Sequence, residues 1–129
     1  MKISLWAFVA TFILFVGCSK NTPLDLQGFD TVTFEKDRGG CLNQRQNLIE
    51  ELKKRENLIL GASQNQIAEA LGRYDYQILD ERNQKIYVYF LEKGPHCEFI
   101  QNPSQAQTLA LHFNAISLVK KVTYQRGNP

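Results

Sequence analysis

The chain has 129 residues, enough for one domain, and 43% hydrophobic with 22% charged residues excludes disorder throughout. Fifteen Lys and Arg against thirteen Asp and Glu give a net charge of +2 and no broad basic field, which argues against nucleic acid as the main partner. His96 and His112 are the only histidines, too few for a metal site built mainly of imidazole.

Residues 1–17 read as an export signal. Lys2 supplies the positive start, and Leu5 to Val16 is an apolar run broken only by Thr11. Twelve helical residues rise about 18 Å, short of a hydrocarbon core of roughly 30 Å, so the run fits a signal-peptide core rather than a membrane span. It ends in Phe15-Val16-Gly17-Cys18. A small residue directly before a Cys at this place resembles the lipobox of bacterial lipoproteins. The resemblance implies cleavage before Cys18 and acylation of that residue as a membrane anchor. Ser19, rather than Asp, follows it, which by the same resemblance implies the outer membrane.

Cys41 and Cys97 remain as an even pair in an exported chain, and an oxidising compartment favours a disulfide between them. The alternatives are a metal site shared with His96 or a catalytic thiol. No C-x-x-C or H-x-x-x-H spacing supports the metal, so the pair is read as structural and no cofactor or metal is expected. His96, after Gly94-Pro95, reads as a loop residue.

Residues 18–28 lack periodicity and read as a lipidated flexible tether reaching up to about 30 Å, with a single domain over 29–129. Phe29, Val32 and Phe34 form a short apolar stretch. Leu42 to about Asn57 is expected as the first helix, with Cys41, Arg45, Leu48 and Leu52 along one face. Its Lys53-Lys54-Arg55 run is expected to be neutralised by Glu50 and Glu51 on a solvated face. Ser63-Gln64-Asn65-Gln66 is a capping box that opens a short second helix, Gln64 to Leu71, ended by Gly72.

The rest reads as β: Tyr76 to Leu79 and Lys85 to Leu91 as a hairpin whose second strand is apolar or amphipathic on both faces, Thr108 to Phe113 with clean period-two alternation, and Leu118 to Gln125 as the returning last strand. Helices followed by a strand meander predict an α+β two-layer fold, two helices on a three- or four-stranded antiparallel sheet. Tyr87, Tyr89 and Tyr124 are expected on the uncovered face, where Tyr87 and Tyr89 would meet solvent or a partner. His112 is expected to be exposed on its strand.

In this order of features, Gly61, Ser63, Leu71 and Gly72 match the L-x-x-G-M-S and L-G-x-P pattern of the SmpA/OmlA (BamE-like) small lipoproteins. Ala62 and Tyr74 replace its Met and Pro. Phe29-Asp30, Asp37 to Cys41 and Gly94 to Glu98 also resemble a set of exported lipoproteins with a paired Cys. The first resemblance implies an α-α-β-β-β domain and a non-catalytic scaffold or interaction module at the outer membrane, facing the periplasm, possible partners being proteins of envelope or β-barrel assembly. A second implied reading is an inhibitor of an exported enzyme, binding through the 92–107 loop with His96. The chain carries no G-x-S-x-G, H-E-x-x-H or glycine-rich phosphate loop, so no enzyme is expected.

Overall fold

The computed structural model describes residues 22–129. The signal segment and Cys18 lie outside the described residues. Among the described residues, no helix is long and apolar enough to cross a membrane.

The fold is α+β. Helices α1 (Thr31–Lys36), α2 (Ile49–Lys53), α3 (Glu56–Ile59) and α4 (Gln64–Leu71) precede strands β1 (Tyr76–Leu79), β2 (Lys85–Phe90), β3 (Gln107–Phe113) and β4 (Val119–Arg126). The strands form an antiparallel sheet in the order β1-β2-β3-β4. Both tight hairpin turns, residues 80–84 and 114–118, therefore lie at one end of the sheet. The β2–β3 loop lies at the other.

Helix α4 forms where the sequence places it. Ser63 Oγ accepts from the Gln66 amide (3.2 Å), and Gln66 Oε1 accepts from the Ser63 amide (2.9 Å). Ile67 and Leu71 are fully buried, each worth about 1.5–3 kcal/mol over exposure.

The expected first helix does not run unbroken from 42 to 57. Residues 45–48 are a 3-10 turn, and α2 and α3 are separated at Lys54-Arg55. Two polar groups divide it. The Asp37 carboxylate accepts the amides of Leu42 (2.7 Å), Gln44 (2.8 Å) and Arg45 (2.9 Å), holding the chain in a turn with Asn43 at φ +55°. Further on, Arg55 leaves helical geometry and donates to Leu26 O (2.7 Å) and Gln27 O (3.1 Å). Glu51 pairs with Arg55 at the i,i+4 spacing, whereas Lys54 also goes to Glu51 and Glu50 pairs with Lys53 at i,i+3. Arg55, then Lys54, holds the Glu51 carboxyl below its usual range.

The described part of the expected tether is packed on the domain instead. Leu26 is buried in the core, and Thr22 O accepts from Gln66 Nε2 (2.7 Å). Helix α1 was not resolved by periodicity. Its signal was the Asp30 cap, whose carboxylate accepts from Thr33 N (3.0 Å) and whose helix buries Phe34.

The tyrosine face corrects the expectation most sharply. Tyr89 is 0% exposed and Tyr87 8%, and both belong to the core shared with Phe34, Leu52, Ile67 and Leu71. Their hydroxyls donate to Gly72 O (2.9 Å) and Gln64 Oε1 (3.1 Å). Tyr124 is half-buried against the same layer. The helices cover this face because its large aromatics span the gap between layers, the tips of Tyr87 and Tyr89 meeting polar groups of α4 and its cap, while the buried Tyr124 hydroxyl has no partner among the described residues. Ile86, Val88 and Ala110 instead form a smaller cluster on the opposite face, with Tyr76 and Ile78.

Candidate functional site

The end of the sheet away from the tight turns is assembled around a buried ion pair. Arg45 is 1% exposed and its Nη1 lies 2.8 Å from Asp75 Oδ2. The same guanidinium donates to Phe34 O (2.8 Å) and Phe90 O (3.0 Å) and sits 4.4 Å above the Phe34 ring. Asp75 also accepts from the amides of Gly39 (3.0 Å) and Phe90 (2.7 Å). Charge, hydrogen-bond capacity and burial are matched, which is the condition for a buried pair to be tolerated. Ring stacking and backbone capture lock α1, the start of β1 and the end of β2 together.

Gly39-Gly40 follows at close quarters. Gly40 has φ +66°, and a Cβ there would meet Glu92 N at 2.6 Å and Leu91 C at 2.8 Å. This approach brings Cys41 to the β2–β3 loop, where Cys41 and Cys97 are joined with S–S 2.01 Å. The expected disulfide is present.

His96 is not a surface contact. It is 3% exposed and stacked on Phe90, with ring centroids 3.5 Å apart and planes 8° apart. Nε2 lies 2.6 Å from Gly39 O, a group that only accepts, so this nitrogen carries the proton. In that tautomer Nδ1 accepts a hydrogen bond from the Ser104 hydroxyl (2.9 Å). Burial is what its sequence neighbours concealed: Gly94-Pro95 turns the ring inward under the loop. The ligand atoms of Cys41, His96 and Cys97 lie within 4.8 Å of one another, yet both sulfurs are bonded to each other and offer no thiolate.

The loop is rigid for physical reasons. Glu92 Oε1 closes its neck, accepting from Gln107 N (3.0 Å) and Arg126 Nη1 (2.8 Å). Lys93 N donates to Asn43 Oδ1 (2.9 Å), and Asn102 Nδ2 to Pro95 O (3.0 Å). On this frame Phe99 is 57% and Ile100 46% exposed. Between the loop and the sheet's uncovered face runs an apolar groove of about 530 Å³, floored by Tyr76, Ile78 and Phe90 and walled by Ile100, Pro103 and Asn128. Burial, then Asp75, pushes the Tyr76 phenol up to about 12, and its hydroxyl donates to Asn128 Oδ1 (2.7 Å). Such a volume lies within the range of small-molecule and peptide side-chain sites.

The structure thus gathers Cys41, Cys97 and His96 at one place and puts Tyr87 and Tyr89 in the helix-covered core. His112 lies on the uncovered face but is half-buried, with Nε2 3.1 Å from Thr123 Oγ1. Burial, then Lys121 and Lys120, lowers its pKa. Sequence reasoning missed Phe99 and Ile100. Their signal was two large apolar residues side by side in a segment otherwise marked as loop by Gly94-Pro95 and Asn102-Pro103.

No protein-family model, curated protein or solved structure matches the chain.

Proposed function

We propose that this protein is a membrane-anchored, non-catalytic lipoprotein that acts as a scaffold or interaction module at the outer membrane, in envelope or β-barrel assembly. Cys18 is its anchor, and its domain stands in the periplasm. The observation that carries this reading is the stapled loop, which holds Phe99 and Ile100 in solvent beside an apolar groove. Large apolar residues fixed on a rigid frame bind with little ordering cost, which suits a docking element. The Cys41–Cys97 bridge supports an oxidising compartment, consistent with export. The buried ionisable groups at this end of the sheet, Asp37, Arg45 and Asp75, are engaged by backbone and by each other, which favours a structural over a catalytic use. The SmpA/OmlA (BamE-like) resemblance supports the same class.

A second reading is an inhibitor of an exported enzyme, with the same loop entering its cleft. The rigidity of the 92–107 segment favours it, since preorganised loops make tight inhibitors. One experiment separates the two. A photo-crosslinking residue at position 99 of the intact lipoprotein is activated in cells, and captured proteins are identified by mass spectrometry. Barrel-assembly subunits or barrel proteins are the expected captures; one soluble exported enzyme would transfer the protein to the inhibitor class. Fatty-acyl label that stays on a Cys18→Ala form would refute the anchor.

A further inference from the structure

The end of the sheet opposite the loop carries a second surface. Thr22 lies there, its carbonyl held by Gln66 Nε2 beside the Ser63 capping box. Ser63 bridges to Leu118, and Gln64 N donates to Ser117 O (3.3 Å), so the start of α4 and the β3–β4 turn form one surface. Cys18 precedes Thr22 by four residues, a reach of at most about 14 Å. Because Leu24 and Leu26 pack on the domain, an anchor at Cys18 is confined to this end.

The surface has the composition of a bilayer contact. Asn114 Oδ1 accepts from the amides of Ile116 (3.1 Å) and Leu118 (3.0 Å), a turn that presents Ile116 at 75% exposure. Leu60, 44% exposed, sits next to Gly61, whose amide donates to Val119 O (2.8 Å) at the base of the same turn. Around the tip, residues 80–85 and 114–121 carry Arg82, Lys85, Lys120 and Lys121 against Asp80 and Glu81. Lys120 is paired with Asp80, whereas Arg82 and Lys85 rim a polar hollow of about 300 Å³ between the two turns. Apolar tips enter the headgroup–acyl boundary while Arg and Lys beside them meet anionic headgroups.

We infer that this end of the domain, with Ile116 at the turn's tip, Leu60 near its base and Arg82 and Lys85 at the rim, rests on the anionic phospholipid leaflet that holds the anchor. The stapled loop then points away from the bilayer. The inference rests on the Cys18 anchor of the proposed function, and its test keeps the two apart.

The only Trp of the chain is Trp6, within the signal segment, so a processed Ile116→Trp or Phe99→Trp protein has a single Trp, which is excited selectively over its tyrosines. Each acylated variant is reconstituted into phosphatidylethanolamine–phosphatidylglycerol vesicles with brominated acyl chains. Both variants are expected to float with the vesicles; the Ile116→Trp form should lose more than half its emission and the Phe99→Trp form almost none. Failure to float would refute the anchor. Flotation with equal quenching, or with stronger quenching at 99, would overturn the orientation. Adding R82E and K85E to the Ile116→Trp form should reduce its quenching, and unchanged quenching would remove the basic rim from the contact.

Discussion

The two ends of the sheet use polar side chains in opposite ways. At the loop end the side chains of Asp37, Arg45, Asp75 and His96 are buried, and each is hydrogen-bonded to backbone. At the turn end, Asn114 and Asp80 cap tight turns locally, Asp80 accepting from Arg82 N (2.8 Å) and Gln84 N (2.9 Å), and the charged groups stay in water. At the loop end buried side chains tie distant segments together, whereas at the turn end backbone pairing of 61–64 with 117–119 does so and the turn-capping side chains act within a few residues. A rigid loop can be presented only by the first kind, because the 16-residue connection between β2 and β3 has no ladder of its own to stiffen it.

The sharpest way to break this contrast is Arg45→Ala. It strands Asp75 in the core and removes ties to Phe34 and Phe90, so urea unfolding should show a loss of up to about 5 kcal/mol. Removing the disulfide as a Cys41→Ser, Cys97→Ser pair should cost roughly 4 kcal/mol, the chain-entropy value for a closed loop of 56 residues. Hydrogen exchange should then rise first in 92–107 and leave the hairpin turns unchanged. A Gly40→Ala change imposes about 1–3 kcal/mol of left-handed backbone strain and adds the clash with Glu92 N.

At the other end effects should be smaller and local. Ser63→Ala removes one side of the capping box and should cost about 1 kcal/mol by thermal or denaturant unfolding. The smallest effect is a pH dependence from His112. Its pKa is lowered from 6.5 in the folded state, so below pH 6.5 the unfolded chain binds the extra proton and stability falls with pH until the folded ring also protonates. His112→Gln should flatten that slope, as read from unfolding midpoints across the acid range.

Local signals were the ones legible in the sequence. The capping box at Ser63 and Gln66 specifies α4 from four residues, and apolar runs between turn signals locate all four strands. Compartment and parity identify the Cys41–Cys97 pair. Alternation also says that Tyr87 and Tyr89 share a face, but not which layer covers it, because Ile86, Val88 and Phe90 make the other face equally apolar. Burial of Arg45 was concealed by its charge, although its place in line with Cys41, Leu48 and Leu52 put it on the inward face. Asp37 and Asp75, the acids that make that burial possible, are far apart in sequence from each other and carry no spacing signal. The same holds for His96, whose partners Gly39 and Phe90 come from other segments.

The open sheet order has a consequence for crowding. A four-stranded meander leaves two edges, and each is a poor template for another chain. Strand β1 offers only four residues. In β4, Val119 is already bonded to Gly61 and Ala62, and Lys120, Lys121 and Arg126 are exposed along the rest. Short or lysine-bearing edges disfavour lateral strand pairing. Copies of this domain are therefore poor partners for one another along their sheet edges, however closely they are crowded.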